Sequence, residues 1–427
     1  GRTERAVHQL CHRGLARRFR NLAAARIWVV GAFSPVPLGV RRQLNIRGPG
    51  DAARSFYKAE DARWRPLVEA TAGYFQTYVS EWRMAAADDD SFREATLDRA
   101  ALAGRLRQTL ARAPSRKVIV PLHLKSLPRP APRLTSPDYG ELVYVPAETA
   151  AAELDGALKE IFPKDGPAAR GSGLSAGRQW FLQLPAAGEN FSLEMKEERQ
   201  QVIDLARKVT LLAMRGAERV HVKMADPRQG LLGSGLYPRP VYSAYCVLAE
   251  HLTGARYVGE LDLSGGVRAY AFERGGHGMV VYWSDGPRRE TACQLGAAGQ
   301  ATLIEMSGAQ RKLSPPRNRL ESGGLAGAEM LPLSPVPALL VGLEPAFIRT
   351  RLGFGLTTGA RLQTRYEPQE VSFEVHNHFA ESMEAEVIPH FPRGSRVKPR
   401  FRKVNVGAGE SVLVSFNVRP SFVETVG

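Results

Sequence analysis

Hydrophobic residues along the first part of the chain follow two alternating patterns. Short, continuous apolar runs are typical of strands that are buried on both faces. Between them lie longer segments with apolar residues every three or four positions, which predicts helices with one buried face. The predicted strands span residues 26–33, 74–84, 117–124, 141–146, 179–184 and 219–224, and the predicted helices span 3–25, 53–72, 96–111, 150–162, 197–216 and 241–252.

This alternation predicts right-handed βαβ units and a parallel sheet. The pattern contains about six strands before residue 230, whereas a closed (β/α)₈ barrel has eight. We therefore expect a partial TIM-type (β/α) barrel whose first two strands precede residue 1. An open, doubly wound six-stranded sheet is the alternative.

Beyond the helix at 241–252, which is followed by Gly254, apolar and polar residues alternate with a period of two. The predicted fold class is therefore α/β followed by all-β. We expect a barrel-like domain at residues 1–254, an antiparallel β-sandwich at 255–343 and an immunoglobulin-like β-sandwich at 344–427.

Composition narrows the function classes. The chain has 427 residues, three scattered cysteines and a net charge of +15, and no apolar stretch is long enough to span a membrane. The basic charge raises the hypothesis of a nucleic-acid or anionic-polymer partner, but the densest basic stretches, 13–20 and 393–403, lack interleaved aromatic residues. Phosphate-loop, nucleophile-elbow and zinc-protease motifs are not found, so we expect no cofactor and no metal.

The segment 179–263 carries the turn GLLGSGLYPRP and then LTGARYVGELDL. It resembles the end of bacterial glycoside-hydrolase-like proteins of the clan A (β/α)₈ type, where the barrel leads into a β-sandwich. The tail containing EVSFEVHNHF resembles the immunoglobulin-like modules appended to bacterial glycosidases. The resemblance implies an extracytoplasmic protein that acts on a carbohydrate polymer.

Glycoside hydrolysis uses two carboxyl groups that flank the scissile bond. In the family that the chain resembles, these are Glu residues at the ends of strands four and seven, and the first follows an Asn. If the two strands expected before residue 1 are counted, the strand predicted at 74–84 is the fourth. It ends in WRMAAADDD, and Ala86 and Ala87 stand where Asn-Glu is expected. On the same count, the strand predicted at 179–184 is the seventh, and it ends at Gln183 and Leu184 instead of Glu.

The remaining catalytic candidates are the nearest acids: Glu81, Asp88, Asp90 and Glu189. The aspartates and Glu81 also have structural interpretations, and Glu189 lies in a loop, where a carboxylate is held less firmly than at a strand end. The aspartates can form a solvated loop that caps the next helix, and Glu81 can be an interior charge with an arginine partner.

Substrate-binding candidates surround the same predicted strand ends. Trp82 and Trp180 can stack on sugar rings, although tryptophan in a strand is often a core residue. His123 can hydrogen-bond a hydroxyl group or be a hydrogen-bonded core histidine. Asp226 can bind a hydroxyl group or cap a turn at Pro227.

Three functions remain open from the sequence. The first is a glycoside-hydrolase-like protein that acts on a polysaccharide or glycoconjugate by carboxylate catalysis. The second is a carbohydrate-binding or structural surface protein on a degenerate hydrolase barrel. The third is a basic binder of nucleic acid or anionic polymer. The first two differ in whether two carboxylates converge at the barrel mouth.

Overall fold

The computed structural model describes residues 17, 21, 30–33, 41–42, 45, 58–75, 77–79, 81–85, 99–111, 117–129, 139–162, 178–187, 191–217, 219–224, 226, 228–261, 263, 266–294, 301–313, 328–353, 355–356, 367–389 and 394–419. The chain divides into two compact units, Gly1–Tyr242 and Ser243–Gly427. The finer division into three domains remains a prediction.

Unit 1 is built from strands and helices that alternate along most of its described residues. They are β1 (Val30–Ala32), α1 (Asp61–Phe75), β2 (Glu81–Arg83), α2 (Arg99–Thr109), β3 (Val118–His123), β4 (Tyr139–Val145), α3 (Ala151–Ile161), β5 (Arg178–Leu182), α4 (Phe191–Met214) and β6 (Arg219–Val222). The helix α5 (Pro240–Leu252) contains the boundary between the units.

The six strands of unit 1 form one parallel sheet in the order β1-β2-β3-β4-β5-β6. Each strand thus pairs with its neighbours in the chain. A doubly wound sheet would instead reverse its strand order at a switch point. The sequential order is that of a (β/α) barrel, so the predicted partial barrel is confirmed and the doubly wound alternative is excluded.

One strand is much shorter than its pattern predicted. Residues 74–84 were expected to be extended, but α1 continues to Phe75 and β2 begins only at Glu81. The buried side chains Val68, Ala72, Phe75 and Val79 follow a spacing of four, three and four residues. This is the helical period, and it overrides the strand propensity of the aromatic residues in this segment.

Side chains alternate between the two faces of the sheet, as they do in any strand. On one face, Ile119, Leu142 and the half-buried Phe181 pack together. Arg83 and Gln179, which pair with Ile119 and Leu142 on neighbouring strands, are hydrogen-bonded to each other on the same face. We call this the inner face. On the opposite face, Trp180 packs edge-on against Phe162, which follows α3.

After the end of α5, unit 2 continues with an antiparallel β region. Its strands are β7 (Arg256–Glu260), β8 (Val267–Arg274), β9 (His277–Ser284), β10 (Arg289–Gln294), β11 (Thr302–Glu305), β12 (Gln310–Lys312), β13 (Ala328–Leu333) and β14 (Ala338–Leu343). Six of them form a sheet in the order β12-β11-β14-β9-β8-β7, and β10 pairs with β13. Their shared core includes Val280, Leu303, Leu331 and Leu340.

A helix follows β14: α6 (Pro345–Leu352), whose Ile348 is buried in that core. The strands that follow are β15 (Gly355–Leu356), β16 (Gln369–His376), β17 (Met383–Val387), β18 (Arg396–Lys398), β19 (Arg402–Val406) and β20 (Ser411–Arg419). They form two antiparallel sheets, β15-β16-β20-β18 and β17-β19, around a core of valines and Phe416. The immunoglobulin-like topology remains a prediction.

Candidate functional site

Polar side chains lie along the carboxyl edge of the parallel sheet, where barrel enzymes place their active sites. Tyr144, at the end of β4, donates its hydroxyl hydrogen to Gln183 Oε1, just beyond β5. Gln183 Nε2 in turn donates to Gln229 Oε1 at 3.0 Å. These three residues, called the edge row below, form a continuous line of hydroxyl and amide groups.

The sequence reasoning considered Gln183 only as a replaced glutamate and did not single out Tyr144 or Gln229. One signal was available. Three polar residues, His123, Tyr144 and Gln183, lie at or next to the ends of their strands. The strand pairs His123–Tyr144 and Tyr144–Phe181 place them on the inner face, because side chains on one face recur at every second residue. Gln229 carried no such signal because it lies in a loop.

The predicted binding residue His123 lies at this edge, at the end of β3. Its ring centre is 5.7 Å from that of Tyr144. Its Nδ1 accepts a hydrogen bond from the Lys125 backbone at 3.2 Å and so caps the short 3₁₀ helix Leu124–Ser126. The His123 ring therefore has a structural role next to the edge row, because it caps this short helix.

Asp226, also predicted to bind substrate, lies in the loop after β6. Its Oδ1 accepts hydrogen bonds from the backbone of Arg228 and Gln229 at 3.0 and 2.9 Å, and its Oδ2 pairs with Lys223 at 2.9 Å. The hydrogen bond from Lys223, together with those from the backbone, lowers the pKa of Asp226 to about 2. The alternative interpretation, that it caps a turn, agrees with this geometry.

The predicted catalytic residue Glu81 is the first residue of β2 and so lies at the amino end of that strand, away from the carboxyl edge. Its carboxylate is buried and accepts from Lys117 at 2.9 Å, Arg219 at 3.0 Å and Gln179 at 2.8 Å. Burial by itself raises the pKa of Glu81, but the hydrogen bonds from Gln179 and Lys117 and the charges of Lys117 and Arg219 outweigh it, and the pKa is lowered. This is the environment of a structural carboxylate with basic partners.

A second set of polar contacts continues from Gln179 on the inner face. Because Gln179 Nε2 donates to Glu81, its Oε1 faces Arg83 and His221. Arg83 Nη2 donates to this oxygen at 3.3 Å. His221 Nε2 lies 3.0 Å from the same oxygen and 3.2 Å from Arg83 Nη2, so the ring donates to Gln179 when Nε2 carries a hydrogen and accepts from Arg83 when it does not.

The position of His221 keeps it uncharged at neutral pH. Burial, followed by the charges of Arg83 and Arg219, lowers the pKa of His221 to about 4, and the charge of Glu81 opposes the change. We call Glu81, Arg83, Lys117, Gln179, Arg219 and His221 the inner cluster. Apart from Glu81, the sequence reasoning did not single out its members, because they are brought together from strands far apart in the chain.

Trp82 and Trp180, predicted to stack on sugar, lie on the opposite face. Trp180 is fully buried against Phe162, and Trp82 is 2% exposed and stacks on Phe33 at 5.1 Å. A β-carbon at Gly31 would come within 2.7 Å of the Trp82 ring, so the packing there is tight. This burial does not agree with a role in binding a sugar: both side chains alternate with the inner-face residues and belong to the core.

The other catalytic candidates, Asp88, Asp90 and Glu189, lie outside the described residues, and their roles remain predictions. In the part of unit 1 that the structure describes, Glu148 is an exposed carboxylate in the loop after β4.

Among the described residues, no cluster of three or more His, Cys, Asp or Glu side chains is arranged to hold a metal ion. His376 and His378 lie close, with ring centres 4.2 Å apart, and His376 Nδ1 is 2.7 Å from Ser411 Oγ.

In the part of the chain that the structure describes, none of the helices has the length and hydrophobicity needed to cross a membrane.

Comparisons with known proteins place glycoside hydrolases among the similar structures. No family model and no curated protein matches the sequence. A family 30 endoxylanase from Clostridium papyrosolvens C71 is similar over 77% of this chain and 82% of its own, with 10% identity and a TM-score of 0.44. A family 30 subfamily 8 xylanase from Clostridium acetobutylicum is similar over 76% and 82%, with 12% identity and a TM-score of 0.41.

A cyclic α-maltosyl-(1→6)-maltose hydrolase from Arthrobacter globiformis is similar over 77% of this chain and 79% of its own, with 12% identity and a TM-score of 0.38. The fold of the present chain resembles these glycoside hydrolases. At these scores the likeness carries no argument about activity, and the barrel-type winding rests on the chain's own strand order.

Proposed function

We propose that this protein binds a carbohydrate polymer at the carboxyl edge of its partial barrel. The edge row carries the proposal. Hydroxyl and amide groups both donate and accept hydrogen bonds, which suits the hydroxyl groups of sugars. Tyr144 is 7% exposed, and its ring stacks with that of the half-buried Phe181 at 6.2 Å between ring centres. An aromatic pair thus packs beside the polar groups, and the half-buried amides of Gln183 and Gln229 are the more accessible part of the row.

The contacts within the edge row also hold its groups in defined positions. Tyr144 and Gln229 are both hydrogen-bonded to Gln183, and Gln229 is fixed by the turn at Asp226. A site whose side chains are already ordered loses less entropy when it binds a ligand. A polymer partner also fits an extracytoplasmic location, which we include in the proposal.

The test is a binding assay on soluble xylan and starch by affinity electrophoresis and calorimetry. We expect Gln183→Ala and Tyr144→Phe to weaken binding without loss of fold, since each leaves the other edge groups in place. Gln310→Ala is the matched control, because Gln310 is exposed on β12 in the other unit. Equal binding by Gln183→Ala, Tyr144→Phe and the unaltered protein would remove the edge row from the site.

A second candidate function is hydrolysis of the bound polymer. The observation that favours it is the position of the remaining acids in the chain. Asp88 and Asp90 follow β2 and Glu189 follows β5, and both segments leave the sheet at the same carboxyl edge. Two carboxyl groups contributed by these segments would supply the acid and the nucleophile or base.

Release of reducing ends from the same polymers tests this hypothesis. If the protein is a hydrolase, Glu189→Gln and either Asp88→Asn or Asp90→Asn abolish the release and leave binding intact. Glu305→Gln, an exposed acid on β11, serves as the control. Binding without any release of reducing ends, in the unaltered protein, would leave carbohydrate binding as the function.

A further inference from the structure

The loop between β6 and α5 displays two large apolar side chains to solvent. Leu236 is 66% exposed and Tyr237 is 75% exposed. Single exposed apolar side chains are common on protein surfaces. These two are neighbours on a loop that is held by its own hydrogen bonds and by one buried charge.

Backbone hydrogen bonds hold the loop in shape. Leu231 and Leu232 donate to the carbonyl groups of Lys223 and Met224, at 3.0 and 2.8 Å. Leu232 also forms an isolated antiparallel bridge with Pro238. The base of the loop is thus a short, twisted ribbon.

Arg239 fixes the end of the loop. It is buried, and its Nη1 donates to the carbonyl oxygen of Arg228 at 2.9 Å and to that of Gly230 at 3.4 Å. Its Nε pairs with Glu198 on α4 at 3.3 Å. A buried guanidinium that satisfies two loop carbonyl groups makes the segment rigid.

The tip itself is strained. Leu236 has a φ of 64°, a left-handed conformation that non-glycine residues rarely adopt. Gly235, with a φ of 74°, precedes it, and a β-carbon there would come within 2.9 Å of the Tyr237 ring. The ring therefore lies against the Gly235 backbone, while most of its surface remains open to solvent.

The loop and one residue of the edge row belong to the same segment of the chain. Gln229, which accepts a hydrogen bond from Gln183, lies in the turn that Asp226 caps and from which the loop rises. The loop therefore begins directly after a residue of the edge row, and Tyr237 is tied into it by the hydrogen bond from the Gly233 backbone to its carbonyl oxygen at 2.9 Å. Two side chains are also far smaller than a stable protein–protein interface, which buries about 800 Å² on each partner.

We propose that Tyr237, supported by Leu236, is a stacking platform for one sugar ring of the polymer bound at the edge row. A pyranose ring has an apolar face of C–H groups that packs on an aromatic ring, while its hydroxyl groups remain hydrated at the rim. The inference rests on the proposed function, because it extends the same site by one sugar position.

The test measures the affinity of the unaltered protein, Tyr237→Ala and Gln183→Ala for xylan- and starch-derived oligosaccharides of increasing length. We expect Tyr237→Ala to weaken binding of the longer oligosaccharides on the order of ten-fold and to leave the shortest bound ligand unaffected. Gln183→Ala is expected to weaken binding at every length.

Two further variants separate stacking from other effects. Tyr237→Phe keeps the ring and is expected to bind like the unaltered protein. Tyr74→Ala removes a tyrosine that is 43% exposed on α1, and is expected to leave binding unchanged. Thermal unfolding of each variant checks that the fold is retained.

The outcomes distinguish the two proposals. If the unaltered protein binds none of the carbohydrates, the proposed function fails, and the platform fails with it. If Gln183→Ala weakens binding and Tyr237→Ala does not, the platform alone is overturned. A loss of affinity in Tyr74→Ala equal to that in Tyr237→Ala would also overturn it, because the effect would not be specific to the loop.

Discussion

The two faces of the parallel sheet are built from alternate residues of the same strands, yet different forces hold them together. In β2, Glu81 and Arg83 lie on the inner face, and Trp82 between them lies on the opposite face. In β5, Gln179 lies in the inner cluster while the next residue, Trp180, packs on Phe162. A shift of one residue therefore separates a hydrogen-bonded ionic network from an apolar core.

The comparison shows what each face depends on. The stability of the opposite face depends on side-chain volume. When one close-packed side chain is truncated, its neighbours lose van der Waals contacts and apolar burial. The inner cluster depends on charge balance: the cations Arg83, Lys117 and Arg219 face one carboxylate, Glu81. Its stability therefore responds to protonation and to charge-changing substitutions.

The largest effect is expected on the apolar face. Trp180→Ala would leave a large cavity beside Phe162 and cost about 3–5 kcal/mol in the free energy of unfolding. Phe181→Ala, one residue along the strand, removes a half-buried ring from the inner face and is expected to cost less. Urea unfolding of both variants measures the difference, and equal losses would contradict the assignment of the two faces.

Glu81→Gln tests the ionic face. The substitution leaves Lys117 and Arg219 without their counter-charge, and we expect a loss of about 3 kcal/mol in the free energy of unfolding. The control is Glu69→Gln, which breaks the exposed pair with Arg65 on α1 and is expected to cost at most about 0.5 kcal/mol. If both variants lose the same amount, Glu81 is not a structural charge.

The pH dependence of stability isolates His221. Its pKa is about 4 in the folded protein and about 6.5 in the unfolded chain, so the unfolded chain binds the proton first. The contribution of uncharged His221 to the free energy of unfolding is complete above pH 6.5. It falls by about 2–3 kcal/mol as the pH decreases towards 4. Thermal unfolding between pH 7 and 4 is expected to show this loss, and His221→Asn to reduce it.

His378 provides the matched control for that experiment. Burial, and then the charges of His376 and Arg349, lower the pKa of His378 as well, so its contribution has the same sign. It lies in unit 2, and His378→Asn should leave the His221 contribution in place. A pH profile that His221→Asn does not alter would show that the inner cluster does not titrate in this range.

The smallest effect is expected for Arg83→Met. Burial and the charge of Arg219 disfavour the charged form of Arg83, and its Nε is buried without a hydrogen-bond partner among the described residues. Replacing this cation by an apolar side chain of similar length should change the free energy of unfolding by less than about 1 kcal/mol. A loss as large as that of Glu81→Gln would mean that the cluster needs all three cations.

Hydrophobic periodicity predicted most elements of unit 1, and its failures have physical causes. The strand predicted at 74–84 placed Glu81 near a carboxyl end, but α1 extends to Phe75 and β2 starts at Glu81 itself. The shorter strand places Glu81 at the amino end of β2, away from the carboxyl edge where the prediction located it. Asp226 was open between two roles, and the hydrogen bonds from Arg228 and Gln229 favour the turn.

The sequence by itself determined the order and type of the elements, because helix and strand periods are local properties of the chain. It also indicated the change from a parallel sheet to antiparallel β regions. Only the tertiary structure decided which side of each strand is the inner face, because both faces of a parallel sheet are buried and apolar runs do not distinguish them. Partners such as Glu81 and Arg219, 138 positions apart, meet only when the strands between them pair in order.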